Sequence, residues 1–343
     1  MMIDNRKVNV VIINDSPYFL SLLGDIIRSE PRFNVYAKFA NASIALSFIN
    51  NNIESIDVIL LDLELPDMDG LSFMEHILRI RFIPIIVITA YNDSWINDKV
   101  LESGAVDVIS VSNIRPDELK SKLIERIDFA IIFGSNKIPI KSSTNKNTGN
   151  LNIVVIGAST GAPAIVADIL AKLPVDINAC IIVVQHMPKG FTDNYIRLLA
   201  PKSKLKVKIA EDNDKILKGL VLIAPADYHV IVEYGYITLY QGPKYAHVRP
   251  SVNVTMITAA RNYGKNVIGV LLSGMGFDGA LGMKVIKSYN GHTIAQDKET
   301  SLVYGMAKVA DSANAVDITL PAYRIAEEII RLTRLGGRNE YRQ

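Results

Sequence analysis

At 343 residues the chain exceeds what most single hydrophobic cores support, so two domains are expected. Its residues are 49% hydrophobic and 21% charged with a formal net charge of +2, an ordinary globular balance that offers no basic face for nucleic acid. The opening MMIDNRKVNVV has no long apolar stretch, and no apolar run nears the roughly 20 residues of a membrane span, so a cytoplasmic location without membrane insertion is expected.

In chain order, VNVVII (8–13) is a β-branched run that meets NDSP. There Ser16 or Asp15 can cap a helix and Pro17 suits its first turn. FLSLLGDIIRS then spaces Phe19, Leu22, Leu23, Ile26 and Ile27 at helical intervals. IDVILL (56–61), PIIVIT (84–89) and VDVIS (106–110) read as further strands. Strands alternating with helices in this way predict a parallel sheet covered on both faces, in a first domain over 5–130. Residues 131–150 are expected to be a linker, because SNKIPIKSSTNKNTGN is dominated by polar and small residues.

Apolar runs resume at 151 with LNIVVI, followed by CIIVV, LVLIA, HVIVEYGYITLYQ, NVIGVLLS and HTIAQ, with helical patterns between most of them. Tyr234-Gly235-Tyr236 suggests a hairpin turn, so the second domain, over 151–335, is expected to be a mostly parallel sheet with an antiparallel addition. The single cysteine, Cys180, sits inside an apolar run and reads as a core residue.

Polar residues gather where these strands finish. In the first domain Asn14 and Asp15 follow one strand, Asp62 follows another and Thr89 closes a third. In an open parallel sheet such positions line one crevice. Two carboxylates there suit a hard cation such as Mg²⁺. Polar strand ends are common, and Asp15 alone reads better as a helix cap; the joint placement of Asp15, Asp62 and Thr89 is what favours a site.

In the second domain Gly157-Ala158-Ser159-Thr160-Gly161 fits G-x-S-x-G between a strand and a helical segment, as a nucleophile elbow requires. The same stretch can cradle a phosphate or simply cap a helix, although it has neither the middle glycine of G-x-G-x-x-G nor a P-loop lysine. A serine nucleophile needs a base. Among the second domain's histidines, His229 and His292 read as structural and His247 lies in a loop within reach of a substrate. His186, directly after CIIVVQ, has the best location. Asp278, in the glycine-dense GMGFDGA, best fits the carboxylate that orients an imidazole, with helix capping as the alternative. The order Ser, His, Asp disfavours an α/β-hydrolase.

The first domain resembles a response-regulator receiver through VVIINDSP, DVILLDLELPDMDGLSF, PIIVITA and SGAVDVIS. The resemblance implies a flavodoxin-like fold, Asp62 as phosphoacceptor, Asp15 and Asp62 as Mg²⁺ ligands, and Thr89 as the switch hydroxyl. Two residues depart from the pattern: Asn14 stands for a usual acid, and Val111 for the lysine, with Arg115-Pro116 a displaced substitute. The second domain resembles the catalytic domain of chemotaxis protein-glutamate methylesterases through VIGASTGAP, VVQHMPKGFT, APADYHV, VRPSVNV, LLSGMGFDGA and HTIAQDKETSLVYGM. Ala162, Asn253 and Ala307-Lys308 are small departures. This implies a Rossmann-like sheet and a catalytic Ser159, His186 and Asp278, with Thr160 and the Met275 backbone near the oxyanion. No cofactor is expected for hydrolysis. The implied partners are methyl-accepting chemoreceptors, as substrates, and the chemotaxis histidine kinase. A non-catalytic docking regulator is the alternative.

Overall fold

The computed structural model describes residues 6–112, 114–134 and 151–335. It divides into two compact units, 1–136 and 137–343. Of the expected linker, 135–150 lies outside the described residues.

The first unit runs β1 (Val8–Ile13), α1 (Pro17–Arg28), β2 (Phe33–Phe39), α2 (Ala42–Asn52), β3 (Val58–Asp62), α3 (Gly70–Ile80), β4 (Ile85–Thr89), α4 (Ser94–Glu102), β5 (Asp107–Ser110) and α5 (Pro116–Gly134). Its five strands form a parallel sheet in the order β2-β1-β3-β4-β5. Val11, Ile13, Ile59, Leu61, Ile85 and Val87 bury against α2 and α3. The alternate residues Val10, Ile12, Leu60 and Ile86 are equally buried. Period two places them on the opposite face, so both faces are covered. Ser16 caps α1 with Pro17 as its first residue. That removes the capping role from Asp15 and leaves its carboxylate to the strand-end crevice. α5 continues four residues past the expected linker boundary at 130, because Phe133 extends its apolar face and packs edge-on against Phe129.

The second unit runs β6 (Asn152–Ala158), α6 (Pro163–Lys172), β7 (Ala179–Gln185), α7 (Thr192–Leu199), β8 (Lys206–Ile209), β9 (Leu220–Ile223), β10 (His229–Val232), β11 (Ile237–Tyr240), α8 (Val252–Tyr263), β12 (Val267–Leu271), α9 (Ala280–Ser288), β13 (His292–Gln296), α10 (Met306–Ser312), β14 (Ile318–Leu320) and α11 (Ala322–Leu335). Seven strands form a wholly parallel sheet, β14-β13-β12-β6-β7-β9-β8. The expected hairpin is present as β10 and β11, but it is a separate two-stranded ribbon rather than an addition to that sheet. β10 packs instead on α8. Enclosed by the ribbon, by α9 and by β6, α8 is buried along most of its length.

β6 and β7 are buried at every residue, as the centre of a doubly covered sheet requires. Cys180 lies in β7 and burial pushes its thiol up to about 12, in keeping with an inert core residue. The strand order reverses at β6, with β7 on one side and β12 on the other. The crevice beyond the carboxyl ends of these strands is where such sheets bind ligands.

Candidate active site

Ser159 leaves the end of β6 in a tight turn. The Ala162 N–H donates to the Ser159 carbonyl at 3.2 Å, and Gly161 holds φ at +84°, the third-position geometry of a type II turn. A side chain at 161 would be strained by that φ and would also meet Leu302 Cβ at 2.5 Å. α6 begins at Pro163 with Ala162 in the cap position and no side-chain cap. Ser159 therefore caps no helix. Its hydroxyl makes no hydrogen bond among the described residues and its side chain is half-buried.

His186 leaves β7 at the same level. Ala158 and Gln185 are register partners, and the His186 N–H donates to the Ala158 carbonyl at 2.9 Å. Ser159 and His186 thus emerge side by side from strands about 4.8 Å apart. Gln185, buried, donates its amide nitrogen to the carbonyls of both Ser159 (2.9 Å) and His186 (3.1 Å).

The imidazole Nε2 of His186 lies 2.8 Å from Asp278 Oδ2. That carboxylate is 4% exposed and accepts three further hydrogen bonds: from the Val252 N–H (2.7 Å), the Asn253 N–H (3.0 Å) and the Ser251 hydroxyl (2.7 Å). Burial alone would raise its pKa. The bond to and charge of His186, with the Asn253 N–H and the Ser251 hydroxyl, outweigh that and hold Asp278 below the usual carboxylate range. Two of these donors are the first free amides of α8, so the helix end itself supports the negative charge. Asp278 does not cap α9, whose cap position is Gly279. Asn253 does that work instead, accepting from the N–H groups of Gly279 (2.9 Å) and Gly282 (2.7 Å).

The loop after β12 closes the third side. A Cβ at Gly274 would meet Met306 Sδ at 2.4 Å and Ser159 Cβ at 2.6 Å, so backbone packs directly on the serine. The backbone N–H groups of Thr160 and Met275 donate to no protein acceptor among the described residues. The Met275 side chain is exposed. His229 is fully buried, donating Nε2–H to the Pro243 carbonyl at 2.8 Å and accepting the Ser251 N–H at 3.2 Å. Burial pushes its pKa down to about 4, so it is a neutral structural residue. His292 is exposed at the start of β13, and His247 is exposed in its loop.

Sequence reasoning missed Gln185 and Ser251, and it noted Asn253 only as a departure from the family pattern without its role. Ser251 carried a usable signal, a serine just before a helical apolar run. Gln185 and Asn253 act through tertiary contacts that leave no local pattern.

In the first unit Asn14, Asp62 and Thr89 meet at the carboxyl edge of β1, β3 and β4. The Asn14 amide nitrogen donates to Asp62 Oδ2 at 2.7 Å, and the Ser16 N–H fixes the other end of Asn14 at 2.9 Å. Burial raises the Asp62 pKa, helped by the charges of Asp15 and Glu64 against the lowering effect of the Glu64 N–H. Buried Thr89 accepts the Tyr91 N–H at 3.1 Å, and the Tyr91 hydroxyl donates to Glu64. Val111 follows β5 with its N–H on the Thr89 carbonyl at 2.8 Å. Arg115 is exposed and makes no ion pair among the described residues.

The donor set fits Mg²⁺, because a half-buried carboxylate raised partly by a neighbouring acid is relieved by a hard cation on its oxygens. No group of three His, Cys, Asp or Glu side chains converges among the described residues, so water or phosphoryl oxygens would complete the coordination.

Comparison with known proteins identifies both units. Residues 154–329 match the CheB methylesterase family and residues 10–124 the response regulator receiver domain. A protein-glutamate methylesterase/protein-glutamine glutaminase of Pyrococcus horikoshii is 35% identical, the alignment covering 99% of this chain and 98% of the relative. One of Anaeromyxobacter dehalogenans is 36% identical, covering 96% and 98%. The crystal structure of the Thermotoga maritima CheB methylesterase catalytic domain is 42% identical with a TM-score of 0.52, over 53% of this chain and 98% of that one. The molecule is thus a receiver-linked α/β hydrolytic protein of chemotaxis signalling. The chain belongs to the protein-glutamate methylesterase/protein-glutamine glutaminase family.

Proposed function

We propose that this chain hydrolyses glutamate γ-methyl esters on the cytoplasmic helices of methyl-accepting chemoreceptors, and deamidates glutamine there by the same acyl chemistry. The reading is carried by the hydrogen bond between His186 and Asp278, placed one strand from Ser159. The Ser159 hydroxyl attacks the ester carbonyl while the nitrogen of His186 not facing Asp278 takes its proton. Asp278 fixes the tautomer and balances the imidazolium. The N–H groups of Thr160 and Met275 receive the oxyanion, each donor lowering the barrier by about 3–4 kcal/mol. Collapse expels methanol with the proton from His186. Water, activated by the same imidazole, then frees the glutamate and restores the serine.

The receiver is read as a weakened switch. Phosphoryl transfer from the chemotaxis histidine kinase to Asp62 would use Mg²⁺ held by Asp15 and Asp62, the cation supplying positive charge to the phosphoryl oxygens. Thr89 would follow the phosphoryl group. No ammonium stands at 111 to pair with it, and the Asn14 amide already occupies one Asp62 oxygen.

Methanol release from methylated receptor tests the hydrolase. Turnover by the parent and none by Ser159→Ala is expected. No turnover by either overturns the reading in favour of a docking regulator, and thermal stabilisation by nucleotides alone would point to the phosphate cradle. A small phosphodonor with Mg²⁺ is expected to alter the parent rate little and to alter the rate of Val111→Lys more.

A further inference from the structure

Beside His186 the second unit opens into a cavity of about 480 Å³ whose wall also carries Lys189, Asp227, Lys244, His247 and Arg249. That volume is in the range that binds side chains and small ligands. The cavity does not include Ser159, so it flanks the proposed acyl position instead of being that position.

Its charge is strongly one-signed once internal pairing is resolved. Arg249 binds Asp227 Oδ1 through Nε (3.1 Å) and Nη2 (2.5 Å), and its remaining nitrogen donates to the Gly242 carbonyl. Asp227 Oδ2 accepts from the Gln241 amide at 3.0 Å. The Arg249 bond, followed by those other donors and the Lys189 charge against the effect of burial, holds the Asp227 carboxyl below its ordinary range. The arginine and the aspartate therefore cancel, and they brace the wall. Lys189, largely exposed, also reaches Asp227 at 3.7 Å, so two cations share that one carboxylate and one positive charge is in surplus. Lys244 has no acidic partner among the described residues and adds a second.

A methyl ester is neutral, so the reacting group itself gives two ammonium groups nothing to pair with. We propose that this cavity is a recognition subsite for a carboxylate on the substrate polypeptide, an Asp or Glu side chain flanking the ester-bearing residue, with Lys244 as its principal ligand and Lys189 at the mouth. The subsite rests on the ester-hydrolase reading and gives it a substrate class: esters set in acidic sequence. His186 borders this cavity and stands one strand from Ser159, so the cavity adjoins the proposed acyl position. Charge-assisted pairing of this kind selects among peptides mainly through binding.

Two peptides test it, each with one γ-methyl glutamate, flanked by glutamate in one and by alanine in the other. With the full chain, methanol release should give a kcat/KM about tenfold higher for the acidic peptide, mostly through KM. Lys244→Glu should bring the ratio to one or below, and Lys244→Arg should keep it. Because each ratio is taken within one enzyme preparation, partial misfolding of a variant cancels. Equal kcat/KM for the two peptides, or an unchanged ratio in Lys244→Glu, overturns the subsite. Absence of methanol from both peptides overturns instead the hydrolase reading on which it stands.

Discussion

Asp62 and Asp278 both stand beyond or at the end of a parallel strand, each in a crevice at the carboxyl edge of its sheet, and their charges are pushed in opposite directions. Asp278 is the more deeply buried, yet its carboxyl is held low; Asp62 is half-buried and its carboxyl is raised. Burial raises both, so the difference lies in what opposes it. Asp278 has the imidazole, two helix-end amides and a hydroxyl directed at it. Asp62 has one side-chain amide, the Glu64 N–H at 3.3 Å, and two acidic neighbours. The fold supplies Asp278 with donors that hold its charge, whereas it leaves Asp62 with fewer donors and acidic neighbours.

The largest effects should come from the site around Asp278. Ser159→Ala should lower kcat for methanol release by about 10⁵–10⁶-fold, with the thermal midpoint retained. Asp278→Asn should cost about 10⁴-fold, because the amide can no longer fix the imidazole tautomer. A loss of less than tenfold would break the assignment of the nucleophile in the first case and of the orienting carboxylate in the second.

A pH effect of intermediate size follows from His229. Its folded pKa of about 4 lies below the ordinary histidine value, so the unfolded chain takes up the proton first. Stability is full above about pH 6.5 and falls by about 3 kcal/mol as pH drops to about 4. Asp278 adds a further loss below the ordinary carboxylate range, since its depressed carboxyl stabilises only while ionised. Denaturant titrations of the full chain across this range should show the slope, and His229→Gln should flatten the part between pH 6.5 and 4.

The smallest effect is expected at the site around Asp62. Asn14→Asp restores an oxygen-only neighbour to Asp62 and should tighten Mg²⁺ binding by about tenfold. Trp95, the only tryptophan, lies at the start of α4 in the receiver, so its fluorescence reads that unit. Unchanged affinity in Asn14→Asp would show that the Asn14 amide is not what limits the site.

The strand-end positions were legible because short apolar runs break abruptly into polar or glycine-rich turns. Ser159, His186 and Asp278 each follow such a break, as do Asp15 and Asp62, and Thr89 is the last residue before one. What the chain did not advertise is what surrounds them. β2 went unread because FNVYAKF is an edge strand that buries only its first residue fully. The three-residue β14 and four-residue β8 are too short to show a period. The hairpin's own pairing was readable from Tyr234-Gly235-Tyr236, but its packing on α8 rather than in the main sheet depends on distant residues. Local capping rules failed at both Ser159 and Asp278 for a related reason. The caps of α6 and α9 fall on neighbouring residues, and the side chain that serves α9 comes from Asn253 on another helix.

The single amide of Gln185 spans the carbonyls of residues 159 and 186. A ligand that shifts either turn must drag the other or break a bond inside the core. The two turns that carry the hydroxyl and the imidazole consequently travel as a couple when an incoming polypeptide presses on them.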